Sequence, residues 1–328
     1  MASFAILVTP PARQSIIILG AGPAGLSAAQ KLIQKGYRVS VVDQSHRLGE
    51  HSRREGDPPF SLLGCHQATW SLLRSLGHPS DSTAFAEASL DFMLPGGRVA
   101  RYPRTRFPTP LQQLFTIGRF AGLSWKERWK LLSWLEEIWE GSAQLAVDLE
   151  HRTAENWLES LHLDRALIHT VWNPLAHWLT GNNLQQLSAD AFIASIKPFF
   201  LSRATDSRLY VPLLPWQRIF AEPLIGQLSQ SDATLYPGLQ AIRFEFQEEH
   251  ITGIRCRDGT VLRADWYISA VPHHQLTPLL PERWLTRYAY FQQMAELTSA
   301  PLTIIQARTT QEIASPRHVL IGDGPFAW

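Results

Sequence analysis

The chain is 328 residues long, with 45% apolar and 18% charged side chains and a formal charge of +1 at pH 7. These values exclude a disordered chain and leave room for two domains, or one elaborate one, with a sizeable core. The balanced charge gives no electrostatic reason for a nucleic-acid partner, and two distant cysteines, Cys65 and Cys256, make no disulfide framework and fit a reducing compartment.

The opening MASFAILVTPPAR has no basic segment ahead of its short apolar run, so no signal peptide is expected. Ser15–Leu19 is a short apolar run of the kind a strand buried on both faces needs. Pro23 to Lys35 predicts a helix stopped at Gly36, and YRVSVV a second strand closing on Asp43. From LLGCHQATWSLLRSLG to about Lys197 the pattern predicts mostly helix. One hairpin interrupts it, LDFMLPGGRVARY, turning at Pro95-Gly96-Gly97, and the connector RTRFPTP follows. Ser124 with Glu127 forms a capping box for one helix, and Thr153 starts another. Residues 233 to 271 alternate at period two. They predict a β-meander with turns at Glu248–His250 and Asp258-Gly259, ending in a buried strand at Trp266–Ala270. No apolar run approaches the ~18 residues that span a bilayer, so a soluble or peripheral protein is expected.

GAGPAG places glycines at 20, 22 and 25 between that first strand and helix, with an acidic residue at the end of the next strand. Gly20 permits the tight turn, Gly22 lets a pyrophosphate approach the backbone, and Gly25 lets helix and strand pack closely. Pro23 and Ala24 open the helix whose N-terminus faces the phosphates, and Asp43, followed by Gln44, is placed for a ribose hydroxyl. A glycine motif alone does not separate FAD from NAD. The distant meander does, because a domain split in this way is the FAD domain of glutathione-reductase type.

The stretches LLGCHQATWSLLRSLG, FPTPLQQL, GLSWKERWKLL, RTAENWLESL and VWNPLAHWLTGNNLQQLSADAFIASI carry a more specific likeness. LYVPLLPWQRIFAEPL, ATLYPGLQAI and RHVLIGDGPFAW continue it through essentially the whole chain. The chain resembles the FAD-dependent amine oxidase and phytoene desaturase superfamily, and within it the hydroxysqualene dehydroxylases. That resemblance implies an α/β FAD domain with a β-meander at 12–62 and 206–272, and a mostly helical substrate domain at 63–205 and 273–328. It implies reductive loss of the hydroxyl of hydroxysqualene to give squalene in hopanoid or sterol-precursor synthesis, with carotenoid-type desaturation as the neighbouring chemistry. It implies FAD as cofactor, an isoprenoid lipid as substrate, and a cytoplasmic location, peripheral at the inner membrane face. Residue by residue, Gly20, Gly22, Gly25 and Asp43 carry over, and Leu239 stands where the superfamily's backbone meets the adenine.

Two departures accompany the likeness. The superfamily's glycine-glycine-arginine run is here Gly49-Glu50-His51, which sets a carboxylate near a pyrophosphate and replaces a bidentate arginine by a titratable ring. Arg47, Arg53 and Arg54 are the cations at hand to compensate, and GDPPF replaces a polar segment expected beside the flavin ring. The superfamily's last FAD-domain strand and helix, with their Gly-Asp pair, are expected to be missing: Gly322-Asp323 reads instead as an earlier strand of the substrate domain. A relative that keeps the fold and binds only a hydrophobic ligand is therefore the alternative reading.

The helix 124–140 carries Trp125, Trp129, Trp134 and Trp139 with leucines over more than half its wheel. It reads either as a helix buried between neighbours or as an interfacial helix touching a membrane. Arg98, Arg101, Arg104 and Arg106 nearby suit anionic headgroups or a solvated loop equally. No histidine, cysteine and carboxylate cluster has ligand spacing, so no metal is expected. An apolar substrate offers few polar handles, and no catalytic residue is named.

Overall fold

The computed structural model describes residues 13–49, 61–78, 83–102, 111–140, 149–201, 203, 205–299, 310 and 318–322. In chain order their strands are β1 (Ser15–Leu19), β2 (Arg38–Asp43), β3 (Leu62–Leu63), β4 (Phe85–Ala88), β5 (Leu90–Leu94), β6 (Arg98–Arg101), β7 (Leu209–Pro212), β8 (Thr234–Pro237), β9 (Ala241–Gln247), β10 (His250–Cys256), β11 (Val261–Leu262), β12 (Trp266–Ser269) and β13 (His318–Ile321). The chain forms two compact units, Met1–Asp57 with Leu72–His78 and Leu214–Ser299, and Pro58–Ser71 with Pro79–Leu213 and Ala300–Trp328.

The first unit is built on a parallel sheet of order β12-β1-β2-β8. Both faces of β1 are covered, which is why its sequence is apolar without alternation. Ile17 and Leu19 join Val42 in a core shared with Phe244, Ile254 and Cys256 of the meander. Ile16 and Ile18 are also buried, as are Leu26 and Ala29 on the helix Pro23–Gln34. Each isoleucine, leucine or valine among them contributes about 1.5–3 kcal/mol by leaving water. Gln30 on that helix donates to Gln227 on the helix Glu222–Ser229 at 2.6 Å.

The antiparallel meander β9-β10-β11 forms as the alternation predicts, with Glu248 at φ +56° and Gly259 at φ +91° in its two turns. The strand expected to end it as a buried element differs. β12 is the outer strand of the parallel sheet, and Trp266 is 58% exposed, because only one of its edges is paired among the described residues.

The domain boundaries also differ from the expected ones. Residues 273–299, expected with the helical domain, belong to the first unit. The helices Glu282–Arg287 and Ala289–Glu296 are fixed there by Trp284, which stacks on Phe291 at 5.5 Å and meets Phe246 of β9 edge-on at 4.8 Å. Arg287 adds a 2.8 Å ion pair with Glu249. Residues 206–213, expected with the FAD domain, lie in the second unit because β7 pairs with β3 and β4.

The second unit is mostly helical, but its strands exceed the one hairpin expected. β5 and β6 form that hairpin around Pro95–Gly97, and β13 adds to β5 in parallel. The short strands β3, β7 and β4 make a further sheet, against which Trp70 packs edge-on to Phe85 and Tyr210. Thr153 caps the helix Ala154–Ser160 by accepting from Asn156 N–H, and the Ser124–Glu127 capping box closes in both directions. The core gathers Phe92, Leu158, Ile168, Leu175 and Phe192 from the hairpin and the helices around it.

Candidate functional site

The carboxyl ends of β1, β2 and β12 meet at one end of the parallel sheet, where open α/β sheets bind ligands. After β1 the chain must turn at once into a helix. Gly20 makes that turn at φ +99°, with its amide on the Val42 carbonyl at 2.8 Å, and a Cβ there would lie 2.8 Å from the Ala270 carbonyl oxygen. Gly25 is closer still: a Cβ on it would stand 1.8 Å from the Gly20 carbonyl oxygen. Gly22 differs, since a Cβ there would meet nothing within 4 Å. It is the N-cap of the helix and has no side chain to satisfy the first amides.

Asp43 holds this loop in shape. Its Oδ2 accepts the Ala21 N–H at 2.6 Å and its Oδ1 the Ser45 N–H at 2.8 Å, and the residue is 7% exposed. Each carboxylate oxygen keeps a lone pair for a further donor. Leu239, just after β8, donates its amide to the Asp43 carbonyl at 2.9 Å, so its carbonyl is the backbone group left to meet a base.

A cavity of about 710 Å³ opens over this loop, within the roughly 300–1,000 Å³ usual for cofactor sites. Of the nine site residues predicted from sequence, Gly20, Gly22, Pro23, Ala24, Asp43, Gln44 and Leu239 line it. Gly25 sits behind the loop as packing. Gly49 is buried at φ +76° and is not among the described residues lining the cavity. Glu50, His51, Arg53, Arg54, GDPPF, Arg104, Arg106, Asp323 and the side chains of Trp134 and Trp139 lie outside the described residues.

Sequence reasoning missed the rest of the lining, which includes Ala241, Ile242, Val271, Pro272, His274, Gln275, Pro278 and Leu279. The signal was present: β12 was recognisable, and a segment leaving its carboxyl end beside that of β1 has to border the same crevice. An open glycine-lined approach, a helix N-terminus and a fixed carboxylate fit a dinucleotide.

The second unit holds a separate, wholly apolar cavity of about 50 Å³ lined by Phe92, Phe120, Leu131, Leu167, Val171 and Trp172, with Tyr102 and Thr116 also against it. Burial pushes the Tyr102 phenol well above its ordinary range, so it stays protonated. Elsewhere, burial and then the Asp206 charge raise the Cys65 thiol to about 11, which makes it a poor nucleophile. Burial lowers His66.

The model of the family "Flavin containing amine oxidoreductase" matches residues 23–326. A probable zeta-carotene desaturase of Synechococcus elongatus is 23% identical over 89% of the chain and 65% of its own length. A 15-cis-phytoene desaturase of the same organism is 22% identical over 95% of the chain and 69% of its own. The chain therefore spans about two thirds of these relatives. Among solved structures, an oxidoreductase from Methanosarcina mazei superimposes with a TM-score of 0.62 at 16% identity, over 86% of this chain and 65% of that one. At that identity the likeness speaks for the fold.

Proposed function

The chain belongs to the flavin-containing amine oxidoreductase family, and from that premise we propose that it is an FAD-dependent oxidoreductase acting on a long isoprenoid hydrocarbon. FAD is its cofactor. The observation that carries the cofactor part of the reading is Gly22, open to a cavity that the glycine loop, Asp43 and Leu239 share, while the isoprenoid part rests on the likeness to carotene desaturases and on the sequence resemblance. Gly20, Gly22, Pro23 and Ala24 would hold the pyrophosphate, Asp43 and Gln44 the ribose, and Leu239 the adenine, with Gly25 and Gly49 shaping the backbone around them.

The reaction proposed first is reductive dehydroxylation of hydroxysqualene to squalene, which the sequence resemblance supports. Reduced FAD, when bound, supplies a hydride to the carbon whose hydroxyl leaves as water, so that the alcohol is reduced and the flavin oxidised. The chain's own part is recognition and dryness. The second unit's apolar cavity, at about 50 Å³, is far below the roughly 300–1,000 Å³ of a ligand site and is not assigned to the substrate. A second reading, carotenoid-type desaturation, is favoured by the names of both curated relatives.

Anaerobic single turnovers separate the two. Chemically reduced, FAD-loaded chain mixed with hydroxysqualene should give squalene and oxidised flavin. Oxidised chain mixed with phytoene or zeta-carotene and a quinone acceptor should leave the carotene unchanged. The reverse pattern selects the desaturase, and no turnover of either substrate sinks the isoprenoid assignment.

A further inference from the structure

The helix Trp125–Glu140 does not bury its first two tryptophans. Trp125 is 69% exposed and Trp129 57%, and their rings meet edge-on at 5.9 Å. The helix packs through its other side, where Leu131 is buried and Arg128 donates to the Phe120 carbonyl. The reading of the whole helix as core therefore fails for its first half. At 100° per residue the two indoles lie about 40° apart on the wheel, and Lys126 and Lys130 follow at about 100° and 140°. Both lysines are exposed, and the Lys130 ammonium donates to the His162 carbonyl at 2.6 Å while keeping two N–H donors for a headgroup. On the neighbouring helix Leu111–Arg119, Phe115 and Arg119 are exposed as well.

We propose that this half-helix, with Trp125 and Trp129 flanked by Lys126 and Lys130, is an interfacial anchor for an anionic lipid surface. Two indoles held clear of the core make an unfavourable surface in water, but they suit an interface that is apolar on one side and wet on the other. The charge complement selects the partner. Cations stand beside the exposed rings, and the only carboxylate in this half, Glu127, is turned back to cap Ser124. The helix's other acids, Glu136, Glu137 and Glu140, all fall in its second half by sequence. No helix among the described residues is long and apolar enough to cross a membrane, so attachment here is by lying on the surface. The proposal deepens the isoprenoid reading, since a hydrocarbon substrate partitions into bilayers.

The test is co-sedimentation of the full FAD-loaded chain with phosphatidylcholine vesicles, with and without phosphatidylglycerol. The native chain should bind the mixed vesicles, and added salt should weaken binding. Trp125→Ala with Trp129→Ala should lower partitioning by at least about tenfold, from the apolar surface withdrawn. Lys126→Gln with Lys130→Gln should lower it by about fivefold per lysine on the mixed vesicles only. Flavin content should not change in either pair, and melting temperature should fall only slightly and only in the lysine pair, where Lys130 gives up its bond to the His162 carbonyl, which separates failure here from failure of the FAD reading. Native chain that stays in the supernatant, or a double-tryptophan variant that sediments like it, overturns the proposal. Self-association lost in that variant, without vesicle binding, would overturn it too and assign the surface to a second copy.

Discussion

Replacing Gly25 or Gly22 by alanine adds the same methyl group to the same loop, yet the two changes should have opposite signatures. At Gly25 the methyl carbon would lie 1.8 Å from the Gly20 carbonyl oxygen, where ordinary contact begins at 3.4 Å. The obstacle is backbone and cannot rotate away, so the helix has to lift from β1. The cost should reach the upper end of the overpacking range, about 3 kcal/mol. At Gly22 the methyl meets nothing within 4 Å. Loss of a favourable N-cap residue is partly offset by the lower entropy of the unfolded chain, leaving stability within about 1 kcal/mol. Its methyl projects, however, where the pyrophosphate has to come. Losing one charge-assisted hydrogen bond of about 1.5–3 kcal/mol would weaken FAD by about ten- to a hundredfold. Urea unfolding of the apo chain and fluorescence titration with FAD read the two quantities. A Gly25→Ala chain as stable as the native one, or a Gly22→Ala chain that binds FAD unchanged, would refute the division of labour between the glycines.

Asp43→Asn leaves the amides of Ala21 and Ser45 with one acceptor between them and sets an NH2 against the other. It should cost about 1–3 kcal/mol in urea unfolding and weaken FAD as well; an unchanged midpoint would contradict the role given to Asp43. The Cys65 thiol, raised from 9.0 to about 11, should react with Ellman's reagent far more slowly in the native chain than in urea. Because the unfolded thiol ionises first, the stability this group contributes is fully present below about pH 9 and declines as pH climbs toward about 11. A fast native reaction would count against it. Trp284→Ala removes the ring joining Phe246 and Phe291 and should cost about 2 kcal/mol, with faster hydrogen exchange across 282–296. Unchanged exchange there would show that the cluster does not hold these helices.

Much of the first unit was legible because its signals are local. A buried strand, a glycine turn, a helix and Asp43 follow one another in a single stretch, and the meander declares itself by alternation with Glu248 and Gly259 at its turns. The short strands β3, β4 and β7 were not legible. Leu63 pairs with Leu209, and strands of two to four residues have no period of their own before a distant partner supplies it. The burial of β12 was overestimated for a related reason: an apolar run shows that a strand exists but not whether it ends the sheet. Of the site, the glycine side was readable and the wall from Val271 to Leu279 was not, because its residues have no motif and face the crevice only through strand order. The exposure of Trp125 and Trp129 was one of two readings that an apolar wheel left open, and packing decided it.

The most direct test of the central claim is the visible absorption spectrum of the purified 328-residue chain, after FAD is offered and the excess removed. A bound flavin spectrum at near-equal ratio to protein, lost in Gly22→Ala, is the predicted result. A folded but colourless chain would contradict the account and leave at most a hydrophobic-ligand-binding protein built on the same fold.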